Sequence, residues 1–532
     1  MLTIKYHNMI RKLLITALVF SLVTMSCTKL NEDLHGQLNE GQVGGGGSGN
    51  AGALLTGIYD NIRGTFQDQA GLYCLTEMTT DELIGPTRGG DWDDNGAWRV
   101  LHSHRFDADH IRVREVFAAL GGVMYSATDL LRFNPTAQQA AEARMLRAFA
   151  EYIMLDNWGQ VPYRDPGESV IQPPRVRTGL DELNYIISEL NAIINDLPNT
   201  PVIRANKNAA RVLLMKCYLN KGVYANRAAP AFDAADMTQV ITLADQVIGS
   251  GLYSFSPVYF HAFAPNNGTI GLENIWTQEN RGGVSSQNIR SRWYSTMHYN
   301  QNPSGWNGFT TLSDFYNKFE AADKRRGIAY PYAGMPGAPP NPGNRVNVGF
   351  LRGQQYNWTT DAPLNDRTGA PLIFTDDVKS VEKGTNLEVT GIRAFKYPID
   401  YQYDPSGNVD NDYVYFRLAD VLLMKAEAIL RGGTGATNAG GYGTTAVALV
   451  NSVRTHASRG ASSMASVTLD QLIDERGREL YLESWRRQDL IRFGKYLNPW
   501  QEKATDDPKY LLLPIPNGQL AANPNLVQNP GY

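Results

Sequence analysis

A chain of 532 residues, 42 % hydrophobic and 19 % charged, has ample material for one large core or two medium ones. Its formal net charge of −4 and the lack of any basic run carry no polyanion-binding signature, so nucleic acid is excluded as an expected partner. Three cysteines, of which only Cys74 and Cys217 follow Cys27, exclude a disulfide scaffold.

The first element is a secretion signal. A cationic start (Lys5, Arg11, Lys12) leads into an apolar stretch from Leu13 to Met25, then Ser26 and Cys27. Met9 offers an alternative start. The apolar stretch is short for a bilayer span. A cysteine at the cleavage point can carry lipid, so residues 1–26 are expected to be a lipoprotein signal peptide and Cys27 the lipidation site. The competing reading is an ordinary cleaved signal with a chance cysteine. No second long apolar run follows, which leaves lipid as the expected membrane attachment. Residues 27–50, with an almost unbroken glycine run at Gly44–Gly49, read as a flexible tether.

Helical periodicity begins at Ala51–Phe66 and returns in Val113–Phe133 and Thr136–Trp158, the latter opening behind Pro135. It continues in Gly179–Leu197, Asn208–Tyr224 and Met237–Ile248, then in Phe416–Leu430, Thr445–His456 and Leu469–Phe493. Alanines at Ala141, Ala148, Ala209, Ala210, Ala419, Ala426 and Ala428 sit where helices would approach closely. The expected fold is mainly α, with tetratricopeptide-type paired antiparallel helices supporting a loop-rich, irregular ligand-binding face with minor β. One domain, 51–532, is expected. Its helical scaffold covers 51–66, 111–250 and 411–532, and its loop-rich portions are 67–110 and 251–410. Cys217 falls in an apolar helical pattern, so both later cysteines are expected as buried free thiols.

The loop-rich portions hold the candidate site. Gly85–His104 raises Trp92 and Trp98 among Arg88, Asp91 and Asn95, and Arg290–Phe309 carries Trp293, Tyr299, Asn302 and Trp306. Sugar C–H faces lie flat on aromatic rings while their hydroxyls need polar partners at the edges. Trp92, Trp98, Trp293, Tyr299 and Trp306 are therefore the expected platforms, and Arg88, Asp91, Asn95 and Asn302 the hydrogen-bonding partners. Loop-anchoring rings are the competing reading, and Trp158, Trp276, Trp358, Trp485 and Trp500 are read as packing residues.

Other chemistries also have candidate residues. His102 and His104, with Asp107, Asp109 and His110 nearby, have spacing for two zinc ligands but no fixed third one. Asp91, Asp93 and Asp94 could hold a structural calcium, although the twelve-residue EF-hand order is missing. No other cofactor is expected. A glycoside hydrolase needs two facing carboxylates; Asp81, Glu82 and the Asp91–Asp94 cluster supply candidates without singling out an acid and a base. Paired helices could also bind peptide.

Several motifs carry a family resemblance. Asp474-Glu475-Arg476-Gly477-Arg478-Glu479-Leu480-Tyr481-Leu482-Glu483, followed by Arg486-Arg487-Gln488-Asp489-Leu490-Ile491-Arg492-Phe493-Gly494-Lys495, resembles the C-terminal hallmark of the SusD/RagB family. So do Leu513-Pro514-Ile515-Pro516 and the terminal Gln528-Asn529-Pro530-Gly531-Tyr532. Phe416–Ala428 and Ala141–Ala148, with Trp158-Gly159 and Val161-Pro162-Tyr163, are similar to two further family helices. Ser484 stands where the family usually has glycine, which puts that local turn in doubt. The resemblance implies a cell-surface outer-membrane lipoprotein that binds glycan at the Gly85–His104 region, leans toward an α-glucan, and caps a SusC-like TonB-dependent barrel. It implies no catalytic residue. The charges of the hallmark, among them Glu475, Arg478, Glu479, Arg486, Arg487, Asp489 and Arg492, are expected to be structural ion pairs.

Overall fold

The computed structural model describes residues 48–532 apart from 285–288, 332–334, 336 and 403–407, with side chains from residue 51 onward. The expected signal peptide, Cys27 and all but the last residues of the tether lie outside the described residues. No described helix is long and apolar enough to cross a membrane.

Helices build the frame. They are α1 (Ser48–Gln67), α2 (Leu72–Glu77), α3 (Ile111–Leu130), α4 (Ala137–Trp158), α5 (Gly179–Ile193), α6 (Lys207–Ala225) and α7 (Ala234–Gly249). Four more follow late in the chain: α8 (Leu418–Leu430), α9 (Ala446–Arg454), α10 (Leu469–Leu480) and α11 (Arg486–Arg492). Each long helix packs on its neighbour in an unbroken series: α1 on α3, α3 on α4, α4 on α5, α5 on α6, α6 on α7, α7 on α8, and α8 on α9 and α10. Alanines Ala141, Ala148, Ala209, Ala210, Ala419 and Ala426 are buried at these contacts, where a small side chain lets backbones approach.

Local chemistry sets the helix ends. Thr136 caps α4 by accepting the Gln139 amide at 3.2 Å while the Gln139 side chain accepts the Thr136 amide at 3.0 Å. Helix α4 stops at Gly159, whose φ of +73° suits glycine. Thr468 and Gln471 repeat the capping box on α10.

Two sequence expectations are corrected. Tyr413–Arg417 is a strand, antiparallel to Asn274–Gln278, so α8 begins at Leu418 rather than Phe416. Its Tyr-Val-Tyr-Phe run is β-branched and aromatic, and tertiary pairing overrides the helical periodicity that follows it. Leu469–Phe493 is two helices, not one. The chain turns between α10 and α11 through Leu482 (φ +57°) and Ser484 (φ +68°).

That turn is held from below by two acids near the end of α2. Ser484 N–H donates to Glu77 Oε1 at 2.5 Å and Leu482 N–H donates to Glu82 Oε2 at 2.9 Å. Because a left-handed backbone costs a non-glycine residue on the order of 1 kcal/mol, Ser484→Gly is expected to raise the unfolding free energy by about 1 kcal/mol. Urea denaturation measures this, and an unchanged or lower stability would count against the strain.

Most charges of α10 and α11 are buried, and most of those are paired. Glu479 accepts from Arg417 and Arg459 at 2.6 Å each and from Arg325 at 2.9 Å. Glu475 meets Arg325 at 2.7 Å and Arg478 at 2.8 Å, and Asp489 bridges Arg476 and Arg492. Arg486 grips Asp81 with two bonds of 2.7 Å. Arg487 turns instead to the Leu511 carbonyl at 3.0 Å. These groups tie the C-terminal helices to the segments that carry Asp81, Arg325, Arg417, Arg459 and Leu511.

Candidate functional site

The site is built where two loops meet. Ile84 and Thr310 exchange backbone bonds of 2.9 and 3.0 Å, which seats residues 85–99 beside residues 291–309. The second loop closes on itself: Trp306 N–H donates to the Tyr294 carbonyl at 2.6 Å and Asn307 N–H to the Met297 carbonyl at 2.8 Å. It therefore presents a fixed rim.

Three rings underlie that rim. Trp92, Trp98 and Phe309 form a triangle with centroids 4.9–6.0 Å apart. Trp92 caps the triangle with a φ of +59°, a backbone state that a bulky residue adopts only under constraint. The constraints are visible. Residues 88 and 91 exchange backbone bonds of 2.9 and 3.0 Å, and Trp92 Nε1–H donates to the Trp306 carbonyl at 2.9 Å. Gly308 completes the seat, since a Cβ there would lie 2.2 Å from the Trp92 ring. Beside this, the Trp306 indole is 44 % exposed and stacks on Tyr294 with centroids 5.5 Å apart.

The structure separates the expected residues into two groups. Trp306, Asp91, Asn95 and Asn302 are exposed, and Trp92 and Tyr299 are half-buried; these six share the loop surface. Tyr299 O–H donates to Asp91 Oδ2 at 3.4 Å, and burial, then the Asp91 charge, push its phenol pKa up, so it stays protonated as a donor. Tyr401 O–H fixes the Asn302 carbonyl at 3.0 Å.

Trp98, Trp293 and Arg88 are corrections. Trp98 is 3 % exposed and spends its Nε1–H on Asp94 at 2.5 Å, while Trp293 is fully buried. A ring with no open face cannot stack a sugar. Arg88 is 5 % exposed, pairs with Glu382 at 3.2 Å and donates to the Leu387 and Thr390 carbonyls at 2.8 and 3.0 Å. Burial lowers its pKa to about 10, and its donors are turned inward. A twenty-residue loop needs its own small core, and in sequence that core looks the same as a binding surface.

Arg367 was missed. Its guanidinium lies 3.9 Å from the Tyr299 ring centroid and bonds Glu388 at 2.5 Å, with Glu388 also 2.9 Å from His298 Nε2. The polar turn Asn365–Gly369 was its only sequence signal.

The alternative chemistries meet occupied side chains. His102 contacts the Leu83 and Gln501 carbonyls at 3.2 and 2.9 Å, and His104 contacts Asp506 at 2.7 Å and the Thr79 carbonyl at 2.9 Å. Burial lowers the His104 pKa to about 4, so it stays neutral. Asp93 pairs with Arg99, and Asp94 holds Trp98, so the two diverge from Asp91. Among the described residues no three His, Cys, Asp or Glu side chains form a metal-holding group. Trp158, Trp276, Trp358 and Trp485 are buried, and Trp500 is half-buried. Cys74 and Cys217 are buried free thiols, and burial pushes Cys74 up to about 12.

Comparison with known proteins bears on this arrangement. Residues 272–532 match the SusD family profile. The chain is 27 % identical over 519 residues to the starch-binding protein SusD of Bacteroides thetaiotaomicron, covering 89 % of this chain and 88 % of that one. It is 25 % identical to SusD-like protein P2 of Formosa agariphila, over 75 % of each chain. Among solved structures, a SusD superfamily protein from Parabacteroides distasonis superposes with a TM-score of 0.69 at 17 % identity, covering 91 % of this chain and 99 % of that one. Surface glycan-binding protein A from Bacteroides thetaiotaomicron, in complex with laminarihexaose, superposes with a TM-score of 0.66 at 18 % identity, over 90 % and 99 % of the two chains.

Proposed function

We propose, for a chain that belongs to the SusD family, a non-catalytic surface protein that captures oligo- or polysaccharide on the Trp92–Trp306 surface. The observation that carries this reading is an exposed indole, Trp306, bonded through its backbone carbonyl to a strained, half-buried Trp92, on two joined loops that also expose Asp91, Asn95 and Asn302. A flat apolar face ringed by donors and acceptors is what a pyranose requires. The bound glycan would pass to a SusC-like TonB-dependent barrel, with Cys27 lipid holding the protein to the outer membrane. Co-purification of a large barrel protein from gently solubilised membranes tests the partner.

The finer reading, an α-glucan, is supported by the starch-binding relative; the laminarin-binding neighbours favour a β-glucan, so both enter the test. A hydrolase is disfavoured because two of its candidate acids already have structural tasks: Asp81 is gripped by Arg486, and Glu82 is 1 % exposed beneath the 482–484 turn. Incubation with polysaccharide should release no reducing ends.

Affinity electrophoresis in gels loaded with starch or laminarin tests the capture surface. Wild type is expected to be retarded by at least one glycan, and Trp306→Ala to lose roughly tenfold in affinity. Its unfolding free energy should change by no more than about 0.5 kcal/mol, because the ring is exposed. A variant that is retarded as strongly as wild type would remove Trp306 from the site.

A further inference from the structure

A second hollow, of about 490 Å³, lies on different elements from the Trp92–Trp306 surface. It is built on the paired antiparallel strands Gly327–Ala329 and Val346–Leu351 and on the segment that follows Gly353. Its walls carry three arginines, Arg326, Arg345 and Arg352, and two tyrosines, Tyr316 and Tyr356.

Most of the charge in and around the hollow is paired. Asp323 is the carboxylate in its lining, and it is fully claimed by Arg325, which reaches it at 2.7 and 2.9 Å beneath the surface. Arg345 and Arg352 pair with Asp361 and Asp376, two partly exposed carboxylates outside the lining. Arg326 has no carboxylate partner among the described residues; its guanidinium donates to the Tyr316 hydroxyl and lies 4.3 Å from that ring's centroid. Arg345 lies 3.8 Å from the Tyr356 centroid. Stacking holds the Arg326 fork in place without neutralising it. A guanidinium fork fits a carboxylate or sulfate through paired N–H···O bonds.

We propose that this hollow binds an anionic saccharide group, the carboxylate of a uronic acid or a sulfate ester, carried on the glycan that the protein captures. The half-buried Tyr356 ring borders the sugar, and Arg326 holds the anion. The Gln301 side chain donates to Gln355 Oε1 at 3.3 Å, which ties the wall of this hollow to the loop carrying Tyr299, Asn302 and Trp306. The inference rests on the glycan-binding reading for its ligand class, not for its site.

Calorimetry with three oligosaccharides tests it: an oligogalacturonide for the carboxylate, a carrageenan oligosaccharide for the sulfate, and laminarihexaose as the neutral control. At least one anionic oligosaccharide is expected to bind, more weakly as salt is added. Arg326→Gln should weaken that binding about tenfold or more and leave neutral glycan binding unchanged. Arg345→Gln, at an exposed side chain, is a second variant whose folding is not in question, and it should weaken anion binding about threefold. Trp306→Ala separates the sites, since it should weaken neutral glycan and spare the anion contacts. Anionic binding that depends on Arg326 while no neutral glycan binds would support this hollow and overturn the aromatic surface. Failure of both anionic probes, or equal binding by wild type and the folded arginine variants, would overturn the hollow.

Discussion

Glu479→Gln is expected to cost about 3–5 kcal/mol of stability, and the variant to accumulate largely as insoluble protein. Glu479 is fully buried and receives the guanidinium groups of Arg325, Arg417 and Arg459. Burial alone would push its carboxyl up, but Arg459, Arg417 and Arg325 together hold it well below the usual range, so it is ionised in the folded protein. An amide of the same shape keeps the volume and removes the charge. Three arginines then share Glu273, Glu475, Glu483 and Asp323, with donors aimed at a group that can no longer accept them all. Urea denaturation of whatever soluble fraction remains measures the loss. A change below about 1 kcal/mol would show that this network is not the hub of the C-terminal half.

Glu77→Gln is expected to do the opposite above neutral pH. Glu77 and Glu82 are both buried, and each accepts a backbone amide of the 482–484 turn. Burial pushes Glu77 up to about 7, and burial together with the Glu77 charge pushes Glu82 well above its ordinary value. Two carboxylates in one dry site cannot both ionise cheaply. In the unfolded chain Glu77 titrates near the ordinary 4.5, so between about 4.5 and about 7 the folded state binds the extra proton. The stabilisation from that proton is complete below about pH 4.5 and is lost as pH rises through about 7. A shift of this size corresponds to roughly 3 kcal/mol. Glutamine accepts the Ser484 amide permanently and does not titrate. The variant should therefore match wild type near about pH 5 and exceed it by up to about 3 kcal/mol near about pH 8. Asp412, also pushed up to about 7 by burial, contributes a slope of the same sign to both proteins, so only the difference between them reports on Glu77. Parallel stability profiles would refute the shared-proton account.

The sequence and the structure agree most closely where periodicity is long. The stretch read as Thr136–Trp158 is helix Ala137–Trp158, and Asn208–Tyr224 is Lys207–Ala225, because an amphipathic pattern and a capping residue act locally. The break at 482–484 is not legible in the residue pattern itself. A positive φ at Leu482 and Ser484 is stabilised by Glu77 and Glu82, about 400 positions away in the chain, and no local pattern encodes that. The family's usual glycine at 484 was the hint, and this chain carries serine there.

The same division runs through the candidate site. Composition and spacing marked residues 85–104 and 290–309 as aromatic, polar loops, and the structure breaks these loops with single helical turns at Arg99–His102 and Ser291–Tyr294. Which rings face water was decided only when Thr310 paired with Ile84 and laid one loop on the other. That contact buried Trp98 beside Phe309, left Trp306 exposed, and turned Arg88 toward Glu382. Helices follow from neighbours a few residues apart, whereas the exposure of a side chain depends on which distant segment covers it.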